Sequence, residues 1–222
     1  MSFRDRADAG RRLARALAAY KDQRPVVLAL PRGGVTVAAE VAAALDAPLD
    51  LILVRKIGVP FQPELAMGAV VDGDEPLVVR NEEIIRLAGI SEAAFQGVCD
   101  KELAEIERRR QRYLGGRERV EVAGCPAIVI DDGIATGATT RAALRATRLR
   151  QPKQLILAVP VAPTDSLAAM RREADEVVCL EAHADLGAIG YYYSDFRPVP
   201  DEAVIALLAR CPVRKERPQS VA

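Results

Sequence analysis

Five short apolar runs, VVLAL (26–30), LILVRK (51–56), AIVI (127–130), LILAVP (155–160) and EVVCLE (176–181), are rich in Val, Ile and Leu and show little polar alternation. A sheet with one wet face needs that alternation, so these runs fit strands buried on both faces, as in parallel sheets. Parallel neighbours cannot be joined by a tight hairpin and need long crossovers, usually helical. Val35–Leu45, Thr139–Arg150 and Thr164–Arg172 lie between the runs with the apolar spacing of helices. The implied fold class is α/β, a three-layer, doubly wound and mostly parallel sheet. A chain of 222 residues suits one such domain, with its core over about 25–182.

Three segments fall outside the alternation. Residues 3–20 place Phe3, Ala7, Gly10, Leu13, Ala14, Leu17 and Ala18 on one helical face and arginines on the other, which predicts a docked surface helix. Residues 67–80 hold two apolar runs around Asp72-Gly73-Asp74-Glu75, a hairpin signal. Residues 81–116 read as a helical insertion: a short helix capped by Asn81, a break at Gly89, then a helix from Ser91 to Gly115-Gly116. Segments 1–20 and 183–210 are expected to form a small cap on the core.

Charge narrows the classes of function. Thirty-one Lys and Arg balance thirty-one Asp and Glu, so any anion site must be local and a uniformly basic nucleic-acid coat is excluded. The run Arg108-Arg109-Arg110-x-Arg112 has Glu102, Glu105 and Glu107 close by, which predicts an ion-paired helix face in place of a nucleic-acid patch. No apolar run approaches the ~20 residues of a membrane span. The opening residues carry charges where a secretion signal would be apolar, so the cytoplasm is the expected compartment. Cys99, Cys125, Cys179 and Cys211 are dispersed and His183 is the single histidine, a poor framework for zinc or disulfides.

The most informative stretch is AIVIDDGIATGATT (127–140), followed directly by a helical segment. A buried strand runs into Asp131-Asp132, then a loop of small and hydroxyl residues, then a helix start. Gly133, Ala135, Gly137 and Ala138 let the backbone approach an anion, and the first N–H groups of a helix have no partner within it. Thr136, Thr139 and Thr140 add hydroxyl donors, and Arg141, Arg145, Arg148 and Arg150 on the helix predict a locally positive field. Two carboxylates beside a phosphate site make sense if a ribose lies between, its hydroxyls on the carboxylates and its 5′-phosphate on the loop. The Lys of a P-loop is missing, and no strand is followed by G-x-G-x-x-G.

Strand, Asp-Asp, then x-x-A-T-G-x-T resembles the signature of the type I phosphoribosyltransferases, which use 5-phosphoribosyl-1-pyrophosphate. The resemblance implies that Asp131 and Asp132 hold the ribose and support catalysis, and that Ala135, Thr136, Gly137, Ala138 and Thr139 bind the 5′-phosphate. Leu30-Pro31-Arg32-Gly33-Gly34, also strand, tight loop and helix, is similar to the family's pyrophosphate loop; Arg32 adds charge and the glycines free the backbone N–H groups. By position in the family, Arg55 or Lys56 helps hold pyrophosphate, with Lys56 also counted as catalytic, and residues 57–66 form a covering loop. That segment is shorter and less polar than common lids. Together, PRGG, RKIGVPFQPELAMGAV and DDGIATGAT look most like a bacterial branch of predicted phosphoribosyltransferases that brings no assigned acceptor base.

The reaction so implied is attack of a nitrogenous base on the anomeric carbon of the ribose as pyrophosphate departs, or its reverse, a task of positioning and charge stabilisation. Mg²⁺ is the expected cofactor, held mainly by ligand oxygens and water with Asp131 and Asp132 acting indirectly. Base recognition is expected in the aromatic stretch 183–197, where Ile189, Tyr191 and Asp195 faintly resemble the purine segment of hypoxanthine-guanine phosphoribosyltransferases. Asp195 stands one position late, and Gly187-Ala188 occupy the stacking position. Small-molecule substrates are the expected partners, with a homodimer through the insertion an option. The rival reading is a non-catalytic sensor on the same fold, which would need a coherent basic face outside the pocket.

Overall fold

The computed structural model describes residues 2–73 and 76–211. Five strands form one parallel sheet: β1 (Val26–Ala29), β2 (Leu49–Leu51), β6 (Pro126–Ile130), β7 (Gln154–Pro163) and β8 (Glu176–His183), in the order β2-β1-β6-β7-β8. Alternate residues of each inner strand enter opposite cores. Val27, Ala29, Ile128, Ile130, Ile156 and Ala158 pack with helices α1 (Arg6–Ala16), α2 (Gly33–Leu45) and α7 (Asp201–Ala209). Val26, Leu28, Ala127, Val129, Leu155 and Leu157 pack with α5 (Ala138–Leu149) and α6 (Thr164–Met170). Both faces are covered, which is why the strands read as unbroken apolar runs.

The run LILVRK is not one strand, contrary to its apolar pattern. It divides into β2 and β3 (Val54–Val59), and β3 pairs antiparallel with β4 (Gln62–Val71), which pairs with β5 (Leu77–Arg80). Ile52 and Leu53 bridge the two sheets and are buried, so an apolar run here marks a covered crossover as well as strand. The expected 67–80 hairpin is β4–β5, and its turn residues Asp74 and Glu75 lie outside the described residues. Residues 57–66, expected as a covering loop, are the paired tip of the β3–β4 ribbon, with Val59 opposite Gln62.

The insertion follows its caps closely. Asn81 accepts from the Ile84 amide ahead of α3 (Glu82–Leu87), and Ser91 accepts from Ala94 ahead of α4 (Glu92–Leu114), which stops at Gly115. Phe95, Cys99, Ile106, Tyr113 and Leu114 of α4 are buried within the chain's own core. That face packs on the chain's own core, and the opposite face of α4, with Gln96, Lys101, Glu107 and Gln111, is exposed. The arginine run is ion-paired: Arg108 and Arg109 to Glu105, Arg110 to Glu107, and Arg112 to Asp201 and Glu202. No helix among the described residues is long and apolar enough to cross a membrane.

Candidate active site

Because the five strands are parallel, their carboxyl ends share one edge of the sheet, where ligands of such folds bind. The loop 31–34 leaves β1 at that edge, the β3–β4 ribbon departs just beyond β2, and Asp131–Gly137 leaves β6. β1 and β6 are hydrogen-bonded neighbours, so two constellations about one hundred residues apart in sequence are brought into contact. A Cβ at Gly33 would overlap the Asp132 carboxylate, and one at Gly34 would lie 3.2 Å from Asp131 Oδ1. Glycine is required there because the loop touches the acids. The Pro31–Arg32 peptide is cis.

The loop after β6 turns through Gly137, whose φ of +77° disfavours any residue with a Cβ. Ile134 N–H donates to the Val161 carbonyl at 2.9 Å and Ser166 Oγ to the Ala135 carbonyl at 3.0 Å, pinning the loop from two sides. No side chain caps α5 and its first turn holds no acid. Ala135, Thr136, Ala138 and Thr139 are exposed while Gly137 and Thr140 are buried. The result is an exposed, small-residue loop leading into a helix start without a side-chain cap, a setting in which backbone N–H groups can receive an anion. The positive field predicted along α5 is weaker than the sequence implied, because Arg145 pairs with Glu173 and Arg148 with Asp175, both acids brought in from the segment after α6. Arg150 donates to the Val120 carbonyl at the far end of α5.

The two carboxylates are not equivalent. Asp131 is half-buried, and desolvation first, then the charge of Asp132, push its carboxyl well above the usual range. Its Oδ1 accepts from the Asp132 amide at 2.9 Å. Asp132 instead forms an ion pair, Oδ2 accepting from Arg6 Nε at 2.6 Å. Its main-chain carbonyl accepts from the Tyr193 hydroxyl at 2.6 Å, and burial raises the Tyr193 pKa. The two adjacent acids thus differ in their partners, Asp132 being ion-paired within the chain.

The remaining predicted residues divide. Ile189 closes over the loop, since a Cβ at Gly133 would come within 2.6 Å of its Cγ2. Tyr191 is 72% exposed and faces solvent beside Gly187. Asp195 is bound to Arg197, which holds its carboxyl down at about 2. Arg32 lies 3.7 Å from Asp201 at the start of α7. Arg55 pairs with Glu102 of α4 at 2.6 Å, and Lys56 pairs across the ribbon with Glu64 at 3.1 Å. The ribbon thus places these two basic residues in ion pairs of their own, and neither has Asp131 or Asp132 as a partner.

The family model for the phosphoribosyl transferase domain matches residues 4–195, which span the sheet, both glycine loops and the Asp pair. The chain belongs to this family. Two Mycobacterium tuberculosis proteins, from strains H37Rv and CDC 1551, both named "Putative phosphoribosyl transferase", are 47% identical over 208 residues. That covers 94% of this chain and 46% of theirs, so it spans about half the length of these relatives. The crystal structure of TT1426 from Thermus thermophilus is similar throughout, with a TM-score of 0.80, 41% identity, and coverage of 94% of this chain and 98% of that one.

Three residues that contact one another or the Asp pair in this phosphoribosyl transferase domain were not singled out by sequence reasoning: Arg6, Tyr193 and Phe196. Phe3, Tyr193 and Phe196 form an aromatic group, with ring centroids 5.3 and 4.9 Å apart, and Phe3 bridges to Tyr193 as an isolated pair of extended residues. The signal available was the aromatic density of 191–196. Arg6 had none, being one of several arginines on an amphipathic helix.

Proposed function

We propose that this chain binds 5-phosphoribosyl-1-pyrophosphate and transfers its phosphoribosyl group to or from a nitrogenous base. The observation that carries the reading is the contact between two elements at one sheet edge: a glycine loop packed on Asp131 and Asp132, and an uncapped helix start at Ala138 beyond them. A ribose 5-phosphate spans that arrangement, its hydroxyls toward the acids and its phosphate on the amides of Ala135, Thr136, Gly137, Ala138 and Thr139. Gly33 and Arg32 then lie beside the anomeric carbon's leaving pyrophosphate. Lys56 and Arg55 reach it once released from Glu64 and Glu102, the β3–β4 ribbon serving as the cover.

The chain's tasks are to orient the sugar, receive the leaving group and exclude water. Burial and the neighbouring Asp132 charge raise the Asp131 carboxyl above the usual range, so the two acids differ in the task each can take. Among the described residues no group of three or more His, Cys, Asp or Glu side chains is disposed to hold a metal ion. The Asp131-Asp132 pair fits a Mg²⁺ carried mainly by pyrophosphate and ribose oxygens, with the two acids contributing through water; bound there, it would neutralise charge on the leaving group. In this reading Ile189, Tyr191 and Asp195 are the residues offered to the base.

A sensor acting on nucleic acid would need a basic face outside the pocket. The most basic run of α4 is neutralised by Glu105, Glu107, Asp201 and Glu202, which favours the enzyme. The test is calorimetric titration with 5-phosphoribosyl-1-pyrophosphate, with and without Mg²⁺, beside the variant Asp131→Asn/Asp132→Asn. Mg²⁺-assisted binding that the variant loses is expected; no binding at millimolar ligand overturns the reading.

A further inference from the structure

We propose that Arg6 is a positioning residue of this site, holding the Asp132 carboxylate and the adjoining cleft wall in the geometry that receives a ribose. The inference rests on the phosphoribosyl reading above and extends the site to the N-terminal helix.

Three contacts fix this one side chain. Arg6 Nε donates to Asp132 Oδ2 at 2.6 Å, its Nη1 donates to the Arg197 carbonyl at 2.9 Å, and its guanidinium carbon sits 3.8 Å from the centre of the Phe196 ring. The two side chains of the ion pair are 10% and 14% exposed, so this is no loose surface pair. A planar guanidinium can donate along two edges while lying flat on an aromatic face; an ammonium cannot do all three. The contacts come from the loop after β6 and the 193–197 segment, so the one side chain of α1 ties both together.

Asp132 is correspondingly unable to turn. Gly33 lies so close that a Cβ would overlap its carboxylate, its main-chain carbonyl is held by Tyr193, and Asp131 lies within hydrogen-bonding reach on the remaining side. Two neighbouring acids with no cation would repel one another and reorient toward solvent. Arg6 supplies the opposing charge from inside the chain. A cleft whose acids are already aimed loses less freedom on binding a sugar, which is where the affinity gain arises.

The experiment compares two probes on three proteins: ribose 5-phosphate and inorganic phosphate, titrated calorimetrically into wild type, Arg6→Met and Arg6→Lys. Phosphate reads the Ala135–Thr139 cradle; the preference for ribose 5-phosphate over phosphate reads the acids. Arg6→Met is expected to keep its phosphate affinity and to lose about tenfold of the preference, the order of one hydrogen bond to a charged group, with Arg6→Lys recovering part of it. Thermal melts run alongside, because a merely structural Arg6 would lower stability and leave the preference intact. An unchanged or increased preference in a folded Arg6→Met overturns the proposal. Should that variant not fold, Arg6→Gln, planar but uncharged, carries the same comparison with the same criterion. If wild type binds phosphate without preferring ribose 5-phosphate, the phosphoribosyl reading itself fails and this inference falls with it.

Discussion

The loop after β6 and the cap formed by α1 with residues 186–197 meet at the same two aspartates, yet they are built by different means. In the loop, each residue is chosen by the backbone it must form: Gly137 for a positive φ, small side chains for an open cradle, an uncapped helix start for its amides. In the cap, residues are chosen by what they meet from afar. Arg6 and Asp132 are 126 positions apart, and Tyr193 reaches back 61 positions to the Asp132 carbonyl. A local device can be reproduced from a short segment; the cap exists only once the sheet has assembled.

The comparison breaks most severely at Gly33, where the two regions touch. Gly33→Val drives a side chain into Asp132 and is expected to abolish ribose 5-phosphate binding while destabilising the fold by ~1–3 kcal/mol through overpacking. Wild-type affinity in that variant would show that the glycine loop does not abut the acids. Gly137→Val is next. It forces a β-branched residue to a φ of +77°, at about 1–3 kcal/mol, and should lose inorganic phosphate binding in the same titration. Binding that survives would place the anion elsewhere.

A smaller effect is expected from Tyr193→Phe, which removes the hydroxyl from the Asp132 carbonyl and costs about 1 kcal/mol in urea unfolding. If phosphate affinity falls as much as ribose 5-phosphate affinity, cap and loop are less separate than the geometry implies.

Asp131→Asn tests the same boundary through pH. The folded-state pKa lies above the ordinary 3.8, so the folded protein keeps a proton that the unfolded chain releases. Stability of the wild type should therefore fall as pH rises from about 4 through the folded pKa, and Asp131→Asn should flatten that part of the profile. Urea midpoints measured across that range give the answer, and parallel profiles would mean the acid is not desolvated. At the bottom of the scale, Arg108→Gln on the solvated face of α4 should leave both midpoint and ligand affinity unchanged.

These contrasts also account for what could be read in advance. The parallel sheet was legible because both faces of β1, β6 and β7 are buried, so the strands carry no polar alternation. The caps of α3 and α4 were legible because Asn81 and Ser91 serve amides three residues away. The small-residue loop and uncapped start of α5 followed the same local logic. The division of LILVRK between two sheets was hidden, since Ile52 and Leu53 are as buried in a crossover as in a strand. Acids that neutralise α5 come from Glu173 and Asp175, beyond any helical spacing from Arg145 and Arg148.

Side-chain periodicity and turn chemistry act over a few residues, so the amino-acid order alone settles the α/β class, the glycine loops and the Asp pair with its helix start. Which of two adjacent acids is paired, which arginine of an amphipathic helix faces inward, and whether a basic strand end is free or bound depend on groups brought together from distant segments. Burial strengthens those pairings by lowering the local dielectric, and burial is a property of the assembled fold.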